Sequence, residues 1–430
     1  METNPTRLVA LLVGLDLISV LGLEAWPPFV PLRLHIETRL GRPGCPGCGA
    51  NAHVKDRTRV ELVDLPAFGR PVRLVWHKRR WRCANRCGAP SWTEEAPWIA
   101  SPRLRLTARA GRWATVQVGR HARSVNEVAS ELGCDWHTVM DAVAAYGDVL
   151  INDPARIRRT DAVGLDEVLM GRVGRFRRQR WSTQVVDIRT GQLLDVIEGR
   201  DKTTVCDWFA GRDQDWREGI RWATLDMSGS YRAVFDTMLP RATQVVDPFH
   251  LVKAANQALD ETRRRVQNDT LGHRGRKHDP LWRSRRLLQM ADERLPGHRR
   301  ERLKGLLDAG DPKGEVRLAW HAKEVVRSIY AHTNPATADE FVTRLAQDLQ
   351  DEDCPSEVNR LGHTLAKWRH QITAWHRSHV TNAATEGVNN LLKRVKRAAF
   401  GFTNFAHYRI RVLLYTGGIN WDLLPTATPR

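Results

Sequence analysis

Four of the seven cysteines are spaced as metal ligands. Cys45 and Cys48 form a C-x2-C pair, and Cys83 and Cys87 form a second pair with three residues between them. Two such pairs can supply the four thiolates of a tetrahedral zinc site. The sequence between them predicts two strands joined by a turn at residues 67–70, which would bring the pairs together. The spacing therefore predicts structural Zn²⁺ in a zinc ribbon, and four unrelated free thiols are the alternative.

Three carboxylates have positions that metal-dependent phosphodiester chemistry could use. Asp166 lies in an apolar, strand-like run, Asp226 ends another such run, and Glu386 lies on a predicted helix from about 381 to 399. Carboxylates held side by side at strand ends repel each other unless a cation lies between them. A pair of Mg²⁺ or Mn²⁺ ions could activate water or a 3′-hydroxyl and stabilise the leaving oxygen. The alternative for each carboxylate is a solvated surface position. The competing acids are Glu167, Asp161 and Asp247.

The predicted helix around Glu386 has a polar face and an apolar face. Amides and cations follow Glu386 along one stripe, and this arrangement suits a metal ion with a DNA backbone beside it. Apolar residues occupy the other face and are expected to dock the helix on a sheet. The polar stripe continues through Asn389, Asn390, Lys393 and Arg397, and the apolar face comprises Val388, Leu391, Leu392 and Val395.

The elements that must position these carboxylates follow an α/β pattern from residue 160 onward. Short β-rich runs are predicted over 163–170, 181–188, 192–197, 220–225 and 244–247, with helices after the third and fourth. The order βββαβαβ is that of the ribonuclease H-like fold, whose first and fourth strands are neighbours at the centre of the sheet. Asp166 and Asp226 would then lie side by side. Between residues 251 and 379 the patterning is helical, which predicts an all-α insertion.

A helix-turn-helix is predicted between the cysteines and the α/β segment. Ser124 and Glu127 form a capping-box pattern, Gly133 permits a turn, and a second helix is expected to start near Asp135. In such a motif the first residues of the second helix face base edges in the major groove. An αα-hairpin that only packs is the alternative. The residues expected to face the bases are Trp136, His137 and Thr138.

The composition predicts an acidic polymer as partner. The 430 residues include 67 Lys and Arg against 49 Asp and Glu, which gives a formal net charge of +18. Basic side chains neutralise phosphates and release counterions, so nucleic acid is the first candidate. The most apolar stretch, residues 8–23, is too short to span a bilayer and carries Asp16 near its middle. We therefore expect a cytoplasmic protein without a membrane partner, with a buried strand or helix near its N-terminus.

Together these pieces resemble an insertion-sequence transposase of the ISL-three family, in which a zinc ribbon and a helix-turn-helix precede a DDE core. The resemblance implies DNA cleavage and strand transfer, with Asp166, Asp226 and Glu386 as the metal-binding acids and at least a homodimer in the active complex. It also implies that His250 lies near the site. The alternative is that His250 only forms a structural hydrogen bond. The motifs that carry it are Cys45-Pro-Gly-Cys48 with Arg80-Trp-Arg-Cys83, Gly164-Leu-Asp-Glu167, Thr224-Leu-Asp226, Val246-Asp-Pro-Phe-His250 and Thr385-Glu-Gly-Val-Asn-Asn390.

The predicted fold class is multi-domain α+β, and two rival functions fit the same sequence. One rival is a non-catalytic DNA-binding regulator derived from a transposase, and the other is a ribonuclease H-like nuclease that cuts without rejoining. The predicted layout is an N-terminal segment (1–44), a zinc ribbon (45–90), a helix-turn-helix domain (100–150), the first part of the core (155–250), the all-α insertion (251–379) and a C-terminal helical part of the core (380–425).

Overall fold

The structure, a computed structural model, describes residues 13–15, 17–24 and 31–429. These residues divide into two units. The first comprises the described residues up to 158 together with 170–179 and 389–429, and the second comprises 159–169 and 180–388. Residues 8–12 and Asp16, part of the apolar stretch 8–23, lie outside the described residues, and the end of that stretch is a strand.

The first unit contains a five-stranded sheet that ends at the cysteine pairs. Its hydrogen-bonded order is β1-β2-β4-β3, with β5 beside β4. The two long strands β3 and β4 pair antiparallel from Ala52 opposite Cys83 to Ala67 opposite Arg70, so the predicted turn at 67–70 is confirmed. Buried apolar side chains such as Leu74 and Trp76 hold one face of the sheet. The strands are β1 (Ile18–Glu24), β2 (Leu32–Thr38), β3 (Ala52–Ala67), β4 (Arg70–Cys83) and β5 (Trp92–Thr93).

Three helices follow in the same unit: α1 (Ala108–Thr115), α2 (Val125–Leu132) and α3 (Trp136–Ile151). Helix α1 continues into a π-helical turn over Val116–Arg120. The capping box of Ser124 with Glu127 starts α2, and Gly133 ends it with φ +64°, a conformation that glycine adopts without a steric penalty. The predicted starts of both helices and the turn at Gly133 are therefore confirmed.

The other five-stranded sheet has the order β10-β9-β6-β7-β8, and all of its residues outside 170–179 belong to the second unit. Strand β9 is parallel to both β6 and β10, whereas β7 and β8 form an antiparallel pair. The first and fourth strands of this segment are thus neighbours, as predicted. Strand β9 and the first residues of β6 are mostly apolar and buried, as expected for strands covered on both faces. The five strands of this sheet are β6 (Ala162–Val173), β7 (Arg178–Asp187), β8 (Leu193–Glu198), β9 (Trp222–Leu225) and β10 (Thr243–Val246).

Helices connect these strands and then form the rest of the second unit. Helices α4 (Lys202–Ala210) and α5 (Gln214–Glu218) precede β9, and α6 (Gly229–Met238) lies between β9 and β10. The segment from 251 to 379, predicted to be all helical, contains no strand among these residues, all of which the structure describes. Its helices are α7 (Pro248–Leu271), α8 (Pro280–Gln289), α9 (Gly297–Gly310), α10 (Glu315–Ser328), α11 (Pro335–Asp348), α12 (Ser356–Thr373) and α13 (Trp375–Ser378).

Two further helices complete the chain, α14 (Ala383–Ala398) and α15 (Phe405–Thr416). Helix α14 is the helix predicted over 381–399. Helix α15 packs closely on α3, because Gly147 has no Cβ and leaves room for Ile410 and Leu414. Across the described parts of the chain, the search for a helix with enough apolar length to traverse a bilayer finds none.

Candidate active site and metal centres

Asp166 and Asp226 occupy equivalent positions on two neighbouring parallel strands. In the β6–β9 pairing Gly164 lies opposite Thr224, and each aspartate follows two residues later in its own strand direction. Asp226 comes directly after the last residue of β9. Because side chains alternate along a strand, Asp166 points to the same face of β6 as Gly164, and its negative charge acts on the carboxyl group of Asp226. The two carboxylates therefore belong to one locus of the central strands.

The carboxyl group of Asp226 is in an environment that penalises its charge. Its Oδ1 is buried and has no hydrogen-bond partner among the described residues. Burial, followed by the negative charges of Glu167 and Asp166, raises the pKa of Asp226 to about 6, although His250 and Lys253 oppose the shift. A buried carboxylate oxygen without a donor is costly unless a cation meets it. A cation bound at Oδ1 of Asp226 would remove this penalty.

The three competing acids already have partners. Asp161 accepts hydrogen bonds from Arg189 at 2.7 Å and from Arg221 at 3.0 Å. Glu167 forms an ion pair with Arg200 at 3.0 Å, and the Arg200 guanidinium lies 4.7 Å from the ring centre of Trp181. Asp247 caps α7, where its Oδ1 accepts from the backbone N–H of Phe249 at 2.7 Å. These acids have structural partners that Asp226 Oδ1 lacks.

A hydrogen-bond network ties the start of α14 to the strands that carry the aspartates. The backbone N–H of Asn382 donates to Asp247 Oδ2, and the Thr224 hydroxyl donates to Asn382 Oδ1 at 3.1 Å. The carbonyl of Asn382 in turn accepts from the backbone N–H of Glu386 at 3.1 Å, in the first turn of α14. Asn382 therefore fixes the helix end that bears Glu386 relative to β9.

Gly164 is required by the close approach of this network. A Cβ at this position would lie 2.5 Å from Ile188 Cδ1, 2.7 Å from Thr224 Oγ1 and 2.8 Å from Asn382 Oδ1. All three distances are too short for van der Waals contact, so any side chain would displace Asn382 or Thr224. The glycine in the Gly-Leu-Asp-Glu sequence thus has a packing role two residues before Asp166.

The third carboxylate, that of Glu386, belongs to the same unit. It does not form, with Asp166 and Asp226, a group whose oxygen atoms lie close enough to share one ion. Glu386 is half-buried on α14. Among the described residues, the four cysteines form the one group of three or more side chains whose donor atoms lie close enough to share an ion. His250 lies near Asp226 and acts on its pKa, and its Nε2 is buried without a hydrogen-bond partner among those residues.

Helix α14 has the two faces that the sequence predicts, with two exceptions. Asn390, Lys393 and Arg397 are exposed, whereas Asn389 is only 7% exposed and does not offer a surface to a partner. Leu391, predicted to dock, is exposed. The remaining apolar residues, Val388, Leu392 and Val395, are buried as expected.

The second helix of the helix pair presents only part of its predicted recognition surface. His137 is exposed, and Trp136 is half-buried beside His407, with ring centres 5.6 Å apart. Thr138 is 6% exposed, and its hydroxyl donates to Asp135 at 2.9 Å. The expectation that Thr138 faces base edges is therefore wrong, because the N-cap residue engages it.

The four predicted zinc ligands converge at one end of the β3–β4 hairpin. Their sulfur atoms lie within 4.8 Å of one another, with Cys45 and Cys87 3.6 Å apart and Cys48 and Cys83 3.4 Å apart. Four thiolates at such spacing match a tetrahedral zinc ion with Zn–S bonds of about 2.3 Å. The predicted convergence is confirmed. The other three cysteines, Cys134, Cys206 and Cys354, lie apart from this group.

Replacing Asp226 by Asn should stabilise the protein when no divalent metal is present. The folded-state pKa of about 6 is above the ordinary value of 3.8, so the stability penalty appears as the pH rises from about 4 to 6 and is complete above 6. We expect Asp226→Asn to gain about 1–3 kcal/mol at pH 7.5, since one pKa unit is worth about 1.4 kcal/mol. Denaturant unfolding in EDTA measures this.

The same comparison at pH 4 serves as the control, because the carboxyl group of folded wild type is then protonated and most of the stability difference should disappear. Adding Mg²⁺ at pH 7.5 should raise the melting temperature of the wild type and leave that of Asp226→Asn unchanged. A wild-type protein that is more stable than Asp226→Asn in EDTA at pH 7.5 would contradict an unpartnered buried charge.

Sequence reasoning missed Asn382, Arg200 and Tyr231. Tyr231 is buried, and its hydroxyl lies 3.0 Å from Thr183 Oγ1. Burial raises the pKa of Tyr231 far above its usual range, with Glu167 and Asp226 adding to the shift. The one available signal was Asn382, a polar residue at the start of the predicted helix, where capping residues are common.

Comparison with known proteins agrees with this architecture. The family model of ISL3-type DDE transposases, described as "Transposase", matches residues 163–412. A second model, described as the zinc-finger of transposase IS204/IS1001/IS1096/IS1165, matches residues 41–87. The chain is 25% identical over 391 residues to the transposase for insertion sequence element IS1001 of Bordetella parapertussis, which covers 90% of this chain and 92% of that protein. It is 29% identical over 305 residues to the transposase for insertion sequence element IS1557 of Mycobacterium tuberculosis, covering 64% and 66% respectively.

Proposed function

Because the chain belongs to the ISL3 family of transposases, we propose that it binds the terminal inverted repeats of an insertion sequence and cuts and joins DNA strands through Asp166, Asp226 and Glu386. The observation that carries this proposal is the buried, unpartnered Oδ1 of Asp226 on the strand next to that of Asp166. Competing acids in the same unit are held by arginines or a helix end. The core would be of the ribonuclease H-like type, in line with its strand order.

Each residue has a distinct role in the proposed reaction. Asp166 and Asp226 would hold the divalent ions, and Glu386 would complete their ligand set from α14. When bound, Mg²⁺ or Mn²⁺ would lower the pKa of the attacking water or 3′-hydroxyl and stabilise the leaving oxygen. Asn382 acts as a positioning residue, since it orients the first turn of α14. His250, with its buried Nε2, is suited to orient a ligand or a phosphate oxygen from beside Asp226.

The proposed DNA contacts come from exposed residues on two helices. His137, with the edge of Trp136, would read the major groove from α3. Asn390, Lys393 and Arg397 would hold the DNA backbone along α14.

The zinc ribbon would stabilise the N-terminal unit that binds the ends of the element. The active complex would contain at least a homodimer. Acting on a bacterial chromosome, the protein would work in the cytoplasm at the nucleoid. In this layout the segments 45–90, 100–150, 155–250, 251–379 and 380–425 serve as ribbon, helix-turn-helix, first core part, insertion and C-terminal core part.

A strand-transfer assay with the element's own ends tests this proposal. We expect the wild type with Mg²⁺ to cut at the ends and join the freed 3′ ends to target DNA. Glu386→Gln should lose both steps by more than the 10–100-fold that an outer-sphere change costs, because the amide carries no charge. End binding by Glu386→Gln should persist.

The matched control is Glu352→Gln, which removes the charge of an exposed glutamate elsewhere in the chain. This variant should cut and join as the wild type does. Cutting without joining by the wild type would replace the proposal by a nuclease. End binding without any metal-dependent cutting would replace it by a DNA-binding regulator.

A further inference from the structure

The turn between β6 and β7 exposes an aromatic side chain. Residues 174–177 form the turn, in which the backbone N–H of Arg177 donates to the carbonyl of Gly174 at 3.0 Å. Gly174 and Arg177 both have positive φ, at +72° and +49°. Phe176 stands between them with 87% of its surface exposed. Burial of this ring would release ordered water, so the turn as it stands leaves a favourable interaction unused.

The residues around Phe176 are strongly basic. Arg172, Arg175, Arg177 and Arg178 are exposed, and their side chains make no ion pair or hydrogen bond with any other residue that the structure describes. Arg180 pairs with Glu198. No acidic residue occurs between positions 168 and 186. We call residues 172–178 the arginine tip.

Exposure of a phenylalanine is not by itself informative in this protein. Phe68, at the turn between β3 and β4, is 88% exposed, but only Arg70 is basic among the residues within four positions of it, and Asp64 lies at the edge of that window. The arginine tip differs because four unpaired arginines lie within four positions of Phe176 in the sequence, two on each side. Guanidinium groups bind phosphates bidentately, and an apolar ring among them matches nucleic acid, which alternates charge and base surface.

We propose that the arginine tip is a DNA wedge: its arginines hold the phosphates of the bound duplex and Phe176 inserts at a base step and stacks on an unpaired or unstacked base. Apolar wedges between base steps are a known way of distorting a duplex, and the cost is met by added contacts. A lipid surface fits less well, since one aromatic side chain supplies little apolar area for insertion. The inference rests on the proposed function for the presence of DNA, and it adds a site outside the three carboxylates.

The test uses end DNA with 2-aminopurine, a base whose fluorescence rises when it is unstacked, at successive positions. Wild-type protein should raise the fluorescence at one or two neighbouring positions. Phe176→Ala should abolish that rise and weaken binding about 5- to 100-fold, as loss of one stacked base does. Phe176→Trp should restore the signal. Phe68→Ala, the matched control at another exposed turn, should behave as the wild type. All these side chains are exposed, so the variants should fold.

The arginines have a separate readout. Replacing Arg175 and Arg178 together by Ala should reduce the slope of log affinity against log salt by about 2, because each phosphate contact contributes about 0.9. If wild type and Phe176→Ala give the same 2-aminopurine signal and both bind and cut end DNA normally, the wedge is overturned and the proposed function stands. A wild type that neither binds nor cuts end DNA would remove the proposed function and the wedge with it. Phe176-dependent binding to phosphatidylserine vesicles, with the DNA signal unaltered, would overturn the DNA assignment.

Discussion

Asp226→Asn is expected to lose strand cutting by roughly 10³-fold or more while it still binds the element ends. The substitution keeps the size and shape of the side chain but removes the charge that a divalent ion requires. Loss of an outer-sphere partner of a metal site typically costs 10–100-fold, so a larger loss identifies a ligand. Cutting of end DNA in Mg²⁺, measured under single-turnover conditions beside a binding titration, separates chemistry from affinity.

Two features make this experiment discriminating. The variant is expected to be more stable than the wild type without metal, because the burial that raises the pKa of Asp226 to about 6 penalises the carboxylate only. Lost cutting therefore cannot be attributed to unfolding. The matched control is Asp161→Asn, on the same unit, whose carboxylate is occupied by Arg189 and Arg221. It should cut normally, and undiminished cutting by Asp226→Asn would remove Asp226 from the mechanism.

The pairing of β6 with β9 was predictable because the local signals in this segment agree. Each strand is an apolar run bounded by turn or capping residues, and the number and order of the runs restrict the topology. Once β6 and β9 are parallel neighbours with Gly164 opposite Thr224, the aspartates that follow two residues later on each segment must lie at one locus. The prediction needed no knowledge of any individual contact.

The network that positions Glu386 could not be predicted in the same way. Its bonds join residues 158 and 135 positions apart, from Thr224 and Asp247 to Asn382. Neither periodicity nor spacing records which side chain on one segment meets which backbone group on another. Gly164 shows the same limit, because its role depends on the Asn382 side chain that packs against it.

The burial of Thr138 and Asn389 shows a second limit. Helical periodicity assigns a residue to a face, but it does not say how far a neighbouring element covers that face. Thr138 belongs to the first turn of α3, where the side chain of the N-cap residue Asp135 accepts both its N–H and its hydroxyl. A residue engaged in this way is withdrawn from solvent although its position on the helix predicts exposure.

Loss of zinc is expected to unfold one end of the first unit and to leave the rest of its sheet folded. Structural zinc contributes about 10–16 kcal/mol of binding free energy, more than the net stability of most domains. Cys83→Ser removes a buried ligand at the end of β4, so the protein should lose its single zinc ion. Zinc content by atomic emission, with Cys206→Ser as the matched control outside the site, measures this directly.

Amide hydrogen exchange on the whole protein shows how far the unfolding spreads. The β3–β4 hairpin extends from the cysteines to a region where Leu74 and Trp76 are packed in the sheet core. Between these ends Arg79 and Glu94, both buried, are joined by a bond of 2.9 Å. This ion pair should stop the unfolding, because separating its buried partners costs about 3–5 kcal/mol.

Amides at 45–54 and 80–87 should therefore lose protection from exchange in Cys83→Ser, whereas amides at 72–76 should keep it. Loss of protection throughout the sheet would show that zinc holds the whole unit, and unchanged protection with no zinc bound would show that the ribbon folds without metal.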